Sequence, residues 1–304
     1  MLCRSPWTAG PRAFPCGQCM PCRFNRRRVW THRLLLEQLQ HGDSAFCTLT
    51  YNDDTLPPDS SLDPKHVQDW LKRFRRSIYP VKIRYYLVGE YGDVSHRPHY
   101  HVALFGYPSC RYGISRYRRF GSSCCDFCDR VRDTWGFGHV YLGVLERHSC
   151  QYVAGYVTKK LTKADDPRLG GRHPEFARMS NRPGLGHDAL FELASEFLFN
   201  CYDVSQGDVP VTLRHGACEL PLGRYLRRKL RSMVGRDVQA PASVVAELQE
   251  LVRPLYEAAE AVTSAPGMAS VRGGVFRDFL VESSRQKAVQ LEARARIFKR
   301  RATL

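Results

Sequence analysis

Nowhere in this chain is there an apolar run long enough to span a bilayer. Its first residues, Met1-Leu2-Cys3-Arg4-Ser5-Pro6-Trp7, lack the continuous apolar core of a secretion signal. No basic amphipathic segment stands out as a membrane anchor, which leaves acidic lipid as a weak candidate partner. Internal repeats and long low-complexity tracts are also missing. Acidic residues are scarce, 30 against 46 lysines and arginines, giving a formal charge of +16 and a pI near 9.5. These absences lead to the expectation of a cytosolic chain with no membrane partner, and the excess of positive charge points to a polyanion, most plausibly nucleic acid.

Cysteine, by contrast, is plentiful. The twelve cysteines would form a disulfide framework in a small secreted domain, but in a basic cytosolic chain of 304 residues they read as thiols or metal ligands. Cys16-Gly17-Gln18-Cys19-Met20-Pro21-Cys22 contains two overlapping CxxC pairs, a spacing that suits thiolates around one soft ion such as zinc. The fourth ligand is open: Cys3 is one candidate and the later group Cys124-Cys125-Asp126-Phe127-Cys128 another, the second at a separation far longer than in a compact zinc ribbon. Reduced cysteines in a turn before a helix would explain the run equally simply.

The stretch with most chemistry is Arg97-Pro98-His99-Tyr100-His101-Val102-Ala103-Leu104-Phe105-Gly106. On a strand, residues two apart project from the same face, so His99 and His101 point together. Two such histidines on a surface strand usually do nothing. Here a β-rich run, Arg84-Tyr85-Tyr86-Leu87-Val88-Gly89-Glu90-Tyr91, precedes them, separated by residues of turn composition, and the two runs read as an antiparallel hairpin. Glu90 then lies beside the histidines. Two imidazoles and a carboxylate hold an ion while leaving positions open for water or substrate.

Around this hairpin the pattern predicts a helix with a basic face from 23 to 37, a strand from 46 to 51, a helix from 64 to about 78 with Asp63 as N-cap and Pro64 at N1, and a strand from 138 to 144. Residues 107–134 read as an irregular insert in which Arg116-Tyr117-Arg118-Arg119-Phe120 interleaves cations and rings, as single-stranded nucleic acid binding would require. Residues 151–161 read as a helix carrying Tyr152 and Tyr156 one turn apart, with Lys159 and Lys160 a turn later. Tyrosines at that spacing are more often core packing than chemistry; the lysines and the metal pair favour chemistry here. The order describes an α+β chain, an antiparallel sheet with helices on one side, followed by a mainly helical C-terminal region. The expected divisions are a Cys-rich basic segment at 1–45, a catalytic core at 46–162 and a C-terminal extension at 163–304.

In this order the segments resemble the replication-initiation proteins of small circular single-stranded DNA phages, the Microviridae and nearest their gokushovirus branch, members of the HUH endonuclease superfamily. The matching residues are Cys16 to Arg23, Phe46 to Tyr51, Gly89 to Gly92 with Arg97 to Gly106, Tyr152 to Lys160 and Met179 to Gly186. The resemblance implies an HUH-type domain that nicks an origin, stays linked to the 5′ phosphate through tyrosine, and religates the strand in rolling-circle replication. Position by position it makes His99 and His101 ligands of Mg²⁺ or Mn²⁺, with Glu90 as third ligand, Tyr152 and Tyr156 nucleophiles, and Lys159 a phosphate-steadying group. It also implies single-stranded and origin DNA as partners, host helicase and polymerase as further ones, and the cytoplasm of a bacterial host as the place of work. The Cys-rich insert around Cys124 departs from the pattern, and the role of residues after about 216 stays open. The rivals are a non-catalytic basic nucleic-acid-binding protein with structural zinc, and a metal-dependent nuclease that uses water.

Overall fold

The computed structural model describes residues 2–92, 94–116, 123–159, 165–199, 207–264 and 272–301; side chains are described except at 156–159, 272–273 and 295–301. In chain order the elements are β1 (Trp7–Ala9), β2 (Arg12–Phe14), α1 (Met20–Leu39), β3 (Ser44–Thr50), α2 (Pro64–Ser77), β4 (Arg84–Tyr91), β5 (Pro98–Phe105), α3 (Asp126–Trp135), β6 (Val140–Val144), α4 (Arg147–Lys159), β7 (Phe176–Met179), α5 (Ala189–Phe199), β8 (Thr212–His215), β9 (Cys218–Pro221), α6 (Gly223–Met233), α7 (Ala242–Thr263) and α8 (Arg272–Arg301). The architecture is α+β with antiparallel sheets. Two units divide the chain: residues 1–26, 197–211 and 227–304 form one, and 27–196 with 212–226 the other. No helix among the described residues is long and apolar enough to cross a membrane.

The larger unit is built on a five-stranded sheet of order β6-β3-β5-β4-β7. β5 is its centre, antiparallel to both β3 and β4. Alternation along β5 splits its side chains between two cores. Tyr100, Val102 and Leu104 join Val67, Trp70, Leu71 and Phe74 of α2 and Cys128, Val131 and Trp135 of α3. Ala103 and Phe105 join Leu34 of α1 and Cys150, Val153 and Ala154 of α4. Helices therefore cover both faces, where the sequence pattern had led us to expect one. The cause is legible in β4 and β5, which bury nearly every residue instead of alternating buried and exposed.

Local signals set the helix ends. Asp63 caps α2, its carboxylate accepting from the Lys65 amide at 2.7 Å, with Pro64 at the first turn where no amide is needed. Gly136 closes α3 at φ 69°, a left-handed residue that favours glycine. Gly138 is required for another reason: a Cβ there would come within 2.4 Å of the Asn52 amide nitrogen. The insert at 107–134 is less irregular than its composition suggested. It contains most of α3, and Ile114 makes a β-bridge to Gly143 at the outer edge of β6. Residues Tyr117 to Phe120 of the basic-aromatic run lie outside the described residues.

In the smaller unit α7 and α8 pack through Ala259, Phe276 and Leu280, with Ala13 of β2 against them. Asp208 is buried between Arg231, whose Nε and Nη2 donate to it at 2.6 Å each, and Arg227.

Candidate active site

Register brings the ligating side chains together. Glu90 of β4 is the cross-strand partner of His99, and His101 sits one pleat further along β5 beside Thr48 of β3. Glu90 Oε1 accepts from His99 Nε2 at 2.8 Å and lies 3.1 Å from His101 Nε2. The three ligating atoms all lie within 4.8 Å of one another. The far ring nitrogens are also held: His99 Nδ1 donates to the Arg97 carbonyl at 3.1 Å, and His101 Nδ1 pairs with Thr48 Oγ1 at 2.9 Å. Both Nε2 atoms are thereby aimed at Glu90, as metal-binding imidazoles are when their other nitrogen is anchored.

Tyr152, in the second turn of α4, projects onto the same face. Its hydroxyl lies 3.4 Å from His101 Nε2, and its ring meets the imidazole edge to face at 5.0 Å. Phe46 stacks on the other side of His101 at 5.4 Å. Tyr152 is also exposed, so the phenol is reachable from outside while its neighbours are buried. Gly155 follows on α4; a Cβ there would sit 3.3 Å from Arg27 Cδ, so a small residue lets the helix lie against α1. The backbone of Tyr156 and Lys159 belongs to α4, and their side chains lie outside the described residues.

Electrostatics separate the two histidines. Burial works against charge on Glu90, but the hydrogen bonds with His101 and His99 outweigh it and hold the carboxyl below its ordinary value. Burial likewise works against a charged His99, but Glu90 and the Arg97 carbonyl outweigh it, so His99 is raised. Burial dominates at His101 and lowers it. Glu90 Oε2 is buried with no hydrogen-bond partner among the described residues. A buried carboxylate oxygen left unpaired is costly unless a cation completes it. The spacing suits such an ion: two ligand atoms at right angles and about 2.1 Å from a hard divalent cation stand about 3.0 Å apart. The residues thus fit a hard divalent ion, with the donors N, N and O that such open sites use.

The cysteines gather in two separate groups. In the smaller unit Cys3, Cys16, Cys19 and Cys22 bring four sulfurs within 4.8 Å of one another. In the larger unit Cys110, Cys124, Cys125 and Cys128 do the same. Either group could hold a metal. The candidate fourth ligand Cys3 therefore joins the CxxC pairs, whereas Cys125 and Cys128 complete a set of their own. At Cys16 burial raises the thiol pKa, but the Cys19 and Gln18 amides outweigh it and bring it down to about 6.

Sequence reasoning missed Thr48, Phe46 and Cys110. Thr48 and Phe46 alternate along a readable strand, but only the order β3-β5-β4 puts them next to His101. Cys110 carries no local spacing signal at all. The loop at Met179 to Gly186, read as a phosphate approach, is used internally: the Gly184 amide donates to the Tyr225 hydroxyl at 3.0 Å and the Gly186 amide to Glu37 Oε2 at 2.7 Å. Arg33, on the basic face of α1, is sandwiched between Trp30 at 4.2 Å and Tyr225 at 4.6 Å.

An antiparallel sheet with a histidine pair on its central strand, a carboxylate opposite and a tyrosine helix across that face defines an α+β protein of the replication-associated kind. Residues 44–161, the span from β3 to α4 that carries every one of these groups, match the family described as replication-associated protein ORF2. The chain is 32% identical over 160 residues to replication-associated protein VP4 of Bdellovibrio phage phiMH2K, covering 51% of this chain and 50% of that one. It is 28% identical over 229 residues to replication-associated protein ORF4 of Chlamydia phage 1, covering 73% and 55%. With replication-associated protein ORF2 of Spiroplasma virus 4 it shares 31% identity over 181 residues, covering 56% and 55%. The chain spans about half the length of these relatives. No solved structure matches it.

Proposed function

We propose that this chain is an HUH-type replication-initiation endonuclease that nicks a single-stranded DNA phage origin and remains attached through a phosphotyrosine, with residues 46–162 as its catalytic core. The observation that carries the reading is the Tyr152 hydroxyl 3.4 Å from His101 Nε2, beside a buried carboxylate oxygen of Glu90 that lacks a partner. His99, His101 and Glu90 would hold Mg²⁺ or Mn²⁺. When bound, the ion polarises the scissile phosphate and offsets its charge.

A phenol with an ordinary pKa of about 10 is a poor nucleophile at neutral pH, so position has to supply what acidity does not. The Tyr152 oxygen attacks phosphorus, the P–O3′ bond breaks, the phenolic proton leaves to solvent or a neighbouring base, and the 3′ oxygen departs and is protonated as a free hydroxyl. The phosphotyrosine ester conserves the bond for rejoining. Tyr156, one turn further along α4, is the second nucleophile that alternates with Tyr152 to release a circle, and Lys159 steadies the phosphate. The net charge of +16 favours the polyanionic strand. Zinc at Cys3, Cys16, Cys19 and Cys22 would be structural, a closed set with no position left for substrate. The resulting protein works on single-stranded and origin DNA in the cytoplasm of a bacterial host, handing the 3′ end to host helicase and polymerase.

Incubation of the chain with origin-bearing single-stranded DNA and Mn²⁺ tests this. A covalent protein–DNA adduct is expected, lost in Tyr152→Phe with Tyr156→Phe while binding persists. Efficient cutting with nothing attached would favour the water nuclease, and binding without cutting the non-catalytic DNA-binding protein.

A further inference from the structure

We propose that Cys110, Cys124, Cys125 and Cys128 hold a structural zinc ion of their own, which clamps the base of the insert between β5 and α3 against the edge of the sheet. Four thiolates around one ion with metal–sulfur bonds of about 2.3 Å form a tetrahedron whose edges are about 3.8 Å. Two edges can be measured: Cys110 Sγ to Cys124 Sγ is 3.7 Å and Cys110 Sγ to Cys125 Sγ is 3.9 Å. All four sulfurs lie within 4.8 Å of one another. These separations are far beyond a disulfide bond of about 2.05 Å, and all four residues are free thiols.

The backbone around the sulfurs is arranged for thiolates. The Arg116 amide donates to Cys124 Sγ at 3.2 Å. Cys125 is the N-cap of α3 but makes no side-chain capping bond, which leaves its sulfur to face the other three. Cys128 lies one turn later on the same side of the helix, and the positive end of α3 favours negative sulfur at both. Four sulfur donors with no open position select a soft ion held for structure rather than a hard catalytic one.

The placement says what the ion does. Cys110 lies just beyond β5, whereas Cys124, Cys125 and Cys128 open α3, so the ion ties two ends of a long excursion together. Between them Ser115 pairs with the edge strand: its amide donates to the Leu142 carbonyl at 3.0 Å and its hydroxyl accepts from the Leu142 amide at 2.8 Å. The same hydroxyl is 3.2 Å from Cys128 Sγ, so the site and the strand pairing share a side chain. Without the ion the four thiols would have to pack as ordinary small core groups, leaving the Ile114 bridge and the Ser115 bonds to hold the insert to β6.

The test uses the intact chain purified without chelator. Metal analysis should give two zinc ions per chain, one for each cysteine group. Alkylation followed by mass spectrometry should find Cys110, Cys124, Cys125 and Cys128 protected as a set, and modified together once a chelator strips the metal. Cys110→Ser with Cys124→Ser should lose one equivalent, and Cys16→Ser with Cys19→Ser should lose the other while the insert cysteines stay protected. Should the insert variant fail to fold, cobalt substitution of the unaltered chain decides, by whether thiolate-to-metal bands correspond to two tetrathiolate sites. A content of one zinc that survives loss of Cys110 and Cys124, or alkylation of the four insert cysteines indifferent to chelator, would overturn the proposal.

Discussion

The two faces of β5 make a useful contrast, because one strand supplies both. On one face Tyr100, Val102 and Leu104 meet α2 and α3 in a core with two fully buried tryptophans, Trp70 and Trp135. On the other, Ala103 and Phe105 meet α1 and α4 for half the strand, and then the apolar pattern stops at His101 and His99. The polar end is not loosely built: Glu90 and His101 are as buried as most of the core. Strand alternation thus lets stability be concentrated on one side, so that the other can carry buried polar groups whose worth lies in chemistry.

Substitutions on the two faces should separate these roles. Trp135→Ala on the apolar face removes a fully buried ring whose indole donates to the Thr50 carbonyl at 2.9 Å. It should cost about 3–5 kcal/mol in denaturant unfolding. Glu37→Ala, behind the other face, should cost a similar or slightly smaller amount of about 3 kcal/mol. It leaves Arg84, paired to Glu37 at 2.5 Å, without its anion, and the Gly186 amide without its acceptor. This residue also sets a pH dependence. Burial raises the Glu37 carboxyl, but His41, the Gly186 amide and Arg84 outweigh it, so the folded value lies below the ordinary one. A depressed carboxyl stabilises above its unfolded pKa, and that contribution is lost as pH falls through the folded value. Glu37→Gln should therefore flatten the acid limb of the stability profile and leave the slope above pH about 5 unchanged.

Smaller effects sharpen the contrast. Thr48→Val keeps the shape of β3 but takes the partner from His101 Nδ1. Mn²⁺ affinity, read by calorimetric titration, should fall about 10–100-fold, with fold stability changed by about 1 kcal/mol. Asp63→Ala removes the α2 cap on the apolar side and should cost about 1 kcal/mol of stability with no change in Mn²⁺ affinity. Equal damage to ion binding by Asp63→Ala and Thr48→Val would mean that the faces are not separable.

Much of this was legible because it is written locally. The Asp63-Pro64 start of α2, the pairing of β4 with β5, and the position of Glu90 opposite His99 all follow from spacing within a few tens of residues. What was not legible depends on partners distant in the chain. β7 is four residues long and becomes a strand by pairing with β4. Helices on both faces follow from strands buried on both sides, a feature that a short apolar run shares with a one-sided strand. In α3 the apolar face is Cys125, Cys128, Val131 and Trp135; counting the cysteines as ligands alone hides its helical spacing. Cys3 and Cys110 lie outside any CxxC pair, and only folding brings them to their groups.

The central claim is that a tyrosine of α4 becomes the covalent carrier of the DNA end beside Glu90, His99 and His101. Mass spectrometry of the trypsin-digested adduct tests it most directly, because residues 148–159 form one tryptic peptide that contains both Tyr152 and Tyr156. The account predicts a 5′-phosphodeoxynucleotide on that peptide, formed with Mn²⁺ and missing when Glu90→Gln is combined with His101→Ala. A nucleotide linked to any residue outside this peptide, or undiminished linkage in that double variant, would contradict it.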